Sequence, residues 1–134
     1  MKLLFALLRR RGLSERIVGP LEAMYAQLTR AFRLGGNLGV FFKTHGGILQ
    51  GCALSMVALN ALIACWVEQI RKEVPGAVPR AYADDISGTV TASSKKRLRE
   101  QVKKVHAVTK RYEEATGGEI STGKCFTFGS EEVN

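Results

Sequence analysis

Apolar residues recur at helical spacing near the start of the chain, and residues with capping chemistry bound two helices there. The first helix is predicted over residues 3–11, where Gly12 ends it and the arginines of its last turn complement the helix dipole. Ser14 can cap a second helix. The apolar stripe of that helix comprises Ile17, Leu21, Met24, Tyr25 and Leu28. Because Pro20 lies inside it, the pattern allows either a kink or a later start.

Two short stretches rich in β-branched and aromatic residues, 29–34 and 40–44, flank the glycine-rich segment 35–39. This arrangement predicts a β-hairpin. Glycines of this kind can also cradle a phosphate, but the strand-to-helix pattern of a phosphate-binding loop is missing, so a turn is favoured. A long helix is predicted next over residues 53–73, and Val74-Pro75-Gly76 ends it.

The second half of the chain predicts another hairpin and another helix. Residues 80–83 and 86–91 are strand-like, with Asp84-Asp85 as the two-residue turn between them. Ser93 or Ser94 caps a helix that reaches about residue 115. The apolar face of this helix holds Leu98, Val102, Val105 and Tyr112, and its basic face holds Lys96, Arg97, Arg99, Lys103, Lys104, Lys110 and Arg111. Gly117-Gly118 ends it, and residues 124–128 are predicted as a last strand. The order of elements indicates the α+β class.

Two segments imitate membrane signals. The strongly apolar part of the uncharged stretch 44–67 begins at Cys52 and runs for about 16 residues, which is short for a membrane span. The apolar run after Lys2 is six residues long and is followed by arginines, unlike a secretory signal. We therefore predict a buried helix and no membrane partner.

Charge indicates an anionic partner. The chain has 134 residues, 20 Lys and Arg against 12 Asp and Glu, and a net charge of +8. Residues 1–80 carry +7 of that charge. Nucleic acid is the first expectation and an acidic membrane surface the second. The basic helix face also has a simpler interpretation as a solvated face.

Cysteine and histidine usage excludes a zinc site of ordinary spacing. Cys52, Cys65 and Cys125 cannot all pair, and they form no Cys-x-x-Cys. His45 and His106 are far apart in sequence. The pattern indicates an intracellular, reducing compartment and leaves nucleus or cytoplasm open.

The acidic residues hold the main chemical signal. Ten are Glu, and the two Asp of the chain are the neighbours Asp84 and Asp85. Two carboxylates on a turn at the end of a hairpin can hold a hard cation such as Mg²⁺, and two-metal phosphoryl or nucleotidyl transfer uses such groups. Aspartate is also a common turn residue for conformational reasons alone.

The sequence around this pair resembles the palm of reverse transcriptases, most closely the non-LTR retrotransposon type, with group II intron maturases as the nearest relatives. Tyr82-Ala83-Asp84-Asp85 is similar to motif C. It follows about 30 residues after Gly47-Ile48-Leu49-Gln50-Gly51-Cys52-Ala53-Leu54-Ser55, which is similar to motif B. The resemblance divides one partial palm domain, 1–134, into a link between motifs A and B (1–45), motif B (46–73), the motif C hairpin (79–92) and a motif D region (94–129).

The resemblance implies roles for six residues. Asp84 would be a ligand of the catalytic Mg²⁺ ions, with Asp85 as a supporting ligand. Gln50 and Gly51 would line the site against template and incoming nucleotide, and Tyr82 would pack near the primer end. Lys124 would lie near the pyrophosphate leaving group as a proton donor, although a plain strand-edge charge explains it equally well. Two positions depart from the family: Ala53 stands where proline is usual, and Leu59 where an aromatic residue is usual.

The resemblance also implies that a part of the site is missing. The two-metal mechanism needs a third carboxylate from motif A, and residues 1–83 contain no Asp. We therefore expect that the chain begins just after motif A, with Met1 at an internal position. The expected fold is a palm-like, ferredoxin-like or RRM-like sheet with helices on one face, lacking the motif A strand and leaving a sheet edge open.

Three functions follow as hypotheses. The first is a fragment of an RNA-directed DNA polymerase that is inactive alone, whose partners are an RNA template, a DNA primer, dNTPs and the missing N-terminal part of the enzyme. The second is a small basic nucleic-acid-binding protein without catalysis, which uses the N-terminal arginines and the basic face of residues 96–111. The third is a split-enzyme subunit, with motif A supplied by another chain.

Overall fold

The computed structural model describes residues 1–44 and 46–130, so His45 and residues 131–134 lie outside the description that follows. The described residues form four α-helices, six short strands and one 3₁₀ helix. The helices are α1 (Lys2–Arg10), α2 (Glu15–Gln27), α3 (Ser55–Glu73) and α4 (Lys95–Thr116), and the 3₁₀ helix is Thr122–Lys124. The strands are β1 (Thr29–Arg30), β2 (Arg33–Leu34), β3 (Asn37–Leu38), β4 (Phe42–Lys43), β5 (Val78–Tyr82) and β6 (Asp85–Thr89). The α+β prediction is confirmed.

The first two helices form where their capping residues predict them. Gly12 takes a φ of +87° directly after α1, a conformation that side chains with a Cβ disfavour. The Ser14 hydroxyl accepts a hydrogen bond of 3.3 Å from the Arg16 amide and caps α2. The helix begins at Glu15 with Pro20 inside it, so the later start is excluded.

The predicted apolar stripe of α2 is partly wrong. Val18 and Leu21 are its buried residues, whereas Ile17 and Met24 are exposed. The buried face is therefore rotated by about one residue from the predicted one. The reason is tertiary: α2 packs against α1, and this contact selects the face that contains Val18.

The first predicted hairpin is confirmed, although its ladder is interrupted. Strand β1 pairs with β4 and β2 pairs with β3, both antiparallel. Gly35 and Gly36 form the two-residue turn with φ values of +54° and +86°. Positive φ at both central positions is the requirement of a type I′ turn, which matches the twist of the strands.

Helix α3 connects two separate hydrophobic clusters. It begins two residues later than predicted and ends at Val74, whose amide donates to the Ile70 carbonyl, so the predicted break is confirmed. The first cluster joins α1, α2 and the start of α3, and its buried members are Leu4, Phe5, Leu8, Val18, Leu21 and Ala58. The second joins the end of α3 to α4 and the second hairpin, and its buried members are Trp66, Ile70, Val74, Ala77 and Val108.

Helix α4 lies on the surface. The Ser94 hydroxyl accepts from the Arg97 amide at 3.3 Å, and Gly117 ends the helix with a φ of +68°, as the sequence predicts. Val108 is its buried residue, and the predicted apolar residues beside it are half-buried. None of the helices in the described part of the chain combines the length and apolar character that crossing a bilayer requires.

The predicted strand at residues 124–128 is wrong. Lys124 ends the 3₁₀ helix, and the chain from Cys125 to residue 130 has no regular structure. A strand needs a neighbouring backbone to complete its hydrogen bonds. No other strand of the described chain pairs with this segment. Phe126 and Phe128 are instead exposed and stack on each other.

Candidate functional site

The second hairpin holds the paired aspartates at its turn. Its register pairs Val78 with Thr89 at the open end and Tyr82 with Asp85 at the closed end. The two residues between the last pair are Ala83 and Asp84. The prediction that Asp84-Asp85 forms the turn is therefore wrong by one residue, because Asp85 belongs to β6 and Ala83 takes the first turn position with a φ of +50°.

The two faces of the hairpin have different surroundings. Side chains alternate between faces along each strand, and paired residues share a face. One face is covered by helices: Ala77 and Pro79 are buried, Ile86 packs against the second cluster, and a Cβ at Gly88 would lie 3.4 Å from Val105. The opposite face is open and carries Arg80, Tyr82, Asp85 and Ser87, all exposed. Tyr82 has a relative exposure of 85%.

Buried groups behind the hairpin hold it in place. The Trp66 indole Nε1 donates to the Thr109 hydroxyl at 3.0 Å, and that hydroxyl donates to the Val105 carbonyl at 2.8 Å. Trp66 and Val108 pack in the cluster that contacts Ile86. The open face with Asp85 is therefore supported from behind by α3 and α4.

Ala83 offers a test of this turn. A residue with a Cβ in the left-handed region costs roughly 1–2 kcal/mol, and glycine does not pay that cost. We expect Ala83→Gly to raise the free energy of unfolding by about 1 kcal/mol, measured by urea unfolding with circular dichroism. Ala81→Gly in β5 is the control and should lower it by about 0.5–1 kcal/mol. If both variants are destabilised alike, Ala83 is not strained.

The two carboxylates have the chemistry that a divalent cation needs. Asp84 and Asp85 are exposed, and in the described part of the chain no side-chain hydrogen bond or ion pair uses a carboxylate oxygen of either residue. Mg²⁺ is commonly bound through one or two carboxylates, with water and substrate phosphates as the other ligands. The residues therefore fit a partial site. Within residues 1–44 and 46–130, no three His, Cys, Asp or Glu side chains come together to hold a metal.

Gln50 and Gly51 lie in the loop that leads into α3, and both are exposed. The Leu49 amide donates to the Tyr25 hydroxyl at 3.0 Å, and the Leu49 carbonyl accepts from the Ser55 hydroxyl. Gly51 takes a φ of +81° and has open space where a Cβ would lie. Tyr25, which the sequence pattern placed in the apolar stripe of α2, therefore holds this loop through its hydroxyl.

Lys124 is the sixth predicted site residue, and the structure places it in the exposed C-terminal segment. It forms no ion pair with Asp84 or Asp85. The structure thus unites Tyr82, Asp84 and Asp85 on one hairpin, and it keeps Gln50, Gly51 and Lys124 on other segments. Arg80 was not among the predicted site residues. The alternation of side chains along β5 places it on the same face as Tyr82.

Ion pairs occupy two of the three N-terminal arginines. Arg9 contacts Glu15 at 2.8 Å and Glu22 at 2.6 Å, which raises the pKa of its guanidinium and lowers the pKa of the Glu15 carboxyl. Arg11 contacts Glu68 at 2.8 Å, and this hydrogen bond raises its pKa too. Arg9 and Arg11 are therefore used to hold α1 against α2 and α3.

The basic face of α4 is exposed. Of its seven predicted cations, Arg111 forms an ion pair, and its partner is Glu73. That contact lowers the pKa of the Glu73 carboxyl. In the described part of the chain, Lys96, Arg97, Arg99, Lys103, Lys104 and Lys110 form no ion pair. Of the two basic regions, the α4 face has six cations without an ion pair among the described residues, whereas the N-terminal arginines have one, Arg10.

No protein-family model, curated protein or solved structure matches this chain. The fold and the site define a basic α+β protein whose second hairpin exposes Asp84 in its turn and Asp85 and Tyr82 on its open face.

Proposed function

We propose that this chain is a palm segment of a reverse transcriptase of the non-LTR retrotransposon type. The observation that carries the proposal is the second hairpin, which has Asp84 in its turn and Asp85 at the start of β6, with helices packed on one face and an open polar face on the other. The open face is where a polymerase palm would receive the primer end.

The order and packing of the elements support the same proposal. The Gln50-Gly51 loop directly precedes α3, and the end of α3 packs against the hairpin. With 19 residues, α3 is about 28 Å long. One rigid element therefore connects the motif B-like loop to the motif C-like turn.

The unpaired edges of the second hairpin support the proposal that a further strand pairs with it in the intact enzyme. In the described residues, β5 and β6 pair with each other and with no other strand. An isolated two-stranded sheet is marginal, and unpaired edges carry free backbone donors and acceptors. A motif A strand with the third carboxylate would pair at one of these edges. Its source would be a segment outside these 134 residues, in the same or a different polypeptide.

In the proposed enzyme, Asp84 and Asp85 would hold Mg²⁺, with Asp84 as the main ligand. The cation would neutralise charge that develops on the phosphates during nucleotidyl transfer. Tyr82 would contact the primer end, and Gln50 and Gly51 would contact template and incoming dNTP. Lys124 would act as a proton donor only if the C-terminal segment approaches the hairpin. An RNA template and a DNA primer are the proposed partners, in an intracellular, reducing compartment.

Metal binding at the turn tests the proposal. We expect Mn²⁺ to bind the full chain weakly and to broaden the amide NMR signals around Asp84 and Asp85. Asp84→Asn combined with Asp85→Asn should weaken Mn²⁺ binding at least tenfold, because both charged oxygen ligands are lost. Glu114→Gln, an exposed carboxylate on α4, is the matched control and should leave binding within twofold.

The second candidate is a basic protein that binds nucleic acid without catalysis, and the free cations of α4 favour it. The Mn²⁺ titration separates the two candidates. Binding that disappears with the two aspartates supports the palm segment. Binding that is equal in the aspartate variant and in the Glu114→Gln control contradicts it and favours the second candidate.

A further inference from the structure

The first hairpin, residues 29–44, exposes an unusual amount of apolar surface. Its side chains are absent from both hydrophobic clusters. The large apolar residues exposed on it are Phe32, Leu34, Leu38, Val40, Phe41 and Phe42. Exposed apolar surface of this extent marks an interaction site more often than a chance feature. Among the described residues nothing covers this surface, which has the character of a surface that binds a partner.

The net positive charge of this hairpin indicates a negatively charged partner. Between Glu22 and Glu68 the sequence has no acidic residue, and its cations in this interval are Arg30, Arg33 and Lys43, all on the hairpin. Three of the six phenylalanines of the chain lie there too. Basic residues interleaved with exposed aromatic rings are the composition of surfaces that bind single-stranded nucleic acid.

Aromatic and cationic side chains lie close together on the first hairpin. Phe32 and Phe42 stack with ring centroids 5.3 Å apart, and Phe32 has a relative exposure of 77%. Arg30 is the ladder partner of Phe42, so the two side chains share a face. The Nε and Nη2 atoms of Arg30 are shielded from solvent and have no hydrogen-bond acceptor among the described residues. A phosphate cannot reach these two shielded atoms, and the exposed cations of the hairpin are Arg33 and Lys43.

Backbone hydrogen bonds join the two sides of this surface. The Gly39 amide donates to the Phe32 carbonyl at 2.8 Å, and a Cβ at Gly39 would lie 3.3 Å from that oxygen. The Gly35-Gly36 turn closes the hairpin immediately beyond β2. A surface that is ordered before binding loses less entropy when a ligand arrives.

We propose that the first hairpin is a binding platform for single-stranded RNA or DNA. An unpaired base stacks on Phe32, and the exposed Arg33 and Lys43 contact the phosphate backbone. This platform does not depend on the aspartate turn or on a metal ion, so its test is separate from the test of the proposed polymerase role.

The test measures binding of fluorescein-labelled U12 oligoribonucleotide to the full chain by fluorescence anisotropy in EDTA. We expect Phe32→Ala to weaken binding at least fivefold, since base–aromatic stacking is lost. Val40→Ala is the matched control, because Val40 has a relative exposure of 89% but no ring, and it should stay within twofold. Arg33→Gln should reduce the slope of log K against log salt by about 0.7.

A spectroscopic variant gives direct evidence of stacking. In Phe32→Trp we expect affinity to be retained and the emission of the new indole to be quenched by U12, while buried Trp66 stays unaffected. Trp66 emission also reports that each variant is folded. The proposal is overturned if the wild-type chain does not bind U12, if Phe32→Ala and Val40→Ala bind equally, or if a duplex of the same length binds as tightly with no effect of Phe32→Ala.

Discussion

Replacement of Trp66 by alanine is expected to lower the free energy of unfolding by about 3–5 kcal/mol, the usual cost of removing a buried indole. Trp66 has a relative exposure of 2% and lies where α3, α4 and the second hairpin meet. Domains of ordinary stability have about 5–15 kcal/mol in total. The variant should therefore unfold at a much lower urea concentration, measured by circular dichroism at 222 nm.

Two further variants separate the contribution of packing to the free energy of unfolding from that of the hydrogen bond. Trp66→Phe keeps a ring in the cluster but loses the donor to Thr109, and we expect a cost of about 1–2 kcal/mol. Met56→Ala is the surface control, because Met56 lies on the same helix and is exposed. A Trp66→Ala variant as stable as Met56→Ala would show that the second cluster does not hold the fold together.

Loss of Trp66 is expected to disturb the open face of the second hairpin as well. Asp85 and Tyr82 have no support on their own face of the hairpin, and the groups that hold the strands are all behind them. Loss of Trp66 would free Val105 and Thr109 to move, and with them the strand that faces α4. The chemistry of the open face is therefore dependent on packing in the second cluster.

Local sequence signals predicted the local structure well. The caps at Ser14 and Ser94 and the left-handed glycines at positions 12 and 117 act within a few residues of their own helix. The turn at Gly35-Gly36 is local for the same reason. Backbone conformation at these positions is decided by the residue and its near neighbours, so a single sequence is sufficient.

Non-local features were predicted less well. The buried face of α2 depends on α1, and the predicted strand at 124–128 failed because no strand of the described chain pairs with it. The register of the second hairpin was off by one residue, since alternation constrains both strands but does not say which two residues lie between them. The pairing of Arg11 with Glu68 joins residues far apart in sequence and carries no local signal.

The same distinction applies to the site. Tyr82, Asp84 and Asp85 are neighbours in sequence, so a correct hairpin brings them together. Gln50 and Lys124 depend on how a loop and a terminal segment are placed, and the structure unites neither with the aspartates by a hydrogen bond or an ion pair among the described residues. Residues that act together but lie on different segments need the tertiary structure, or a substrate, to assemble them.

Under the proposed function, addition of a motif A strand is expected to produce the largest functional change. We expect the 134-residue chain alone to show no primer extension on an RNA template with Mg²⁺ or Mn²⁺, because it contains two aspartates where the two-metal mechanism needs three carboxylates. Fusion of the fingers and motif A strand of an active non-LTR reverse transcriptase before Met1 should give template-dependent synthesis. The added strand would pair at a free edge of the β5–β6 hairpin.

Variants of that fusion show whether synthesis uses the proposed site. Asp84→Asn should reduce extension by at least a hundredfold, the scale on which loss of a group that stabilises transition-state charge lowers kcat. Ser87→Ala, on the same open face, should retain activity within about fivefold, since a hydroxyl that holds no metal contributes little to charge stabilisation. Synthesis by the unfused chain would contradict the requirement for a third carboxylate. Equal activity of the fusion and its Asp84→Asn variant would contradict the assignment of Asp84 as a metal ligand, because a carboxylate that binds the reacting metal cannot be replaced by a neutral amide without loss of rate.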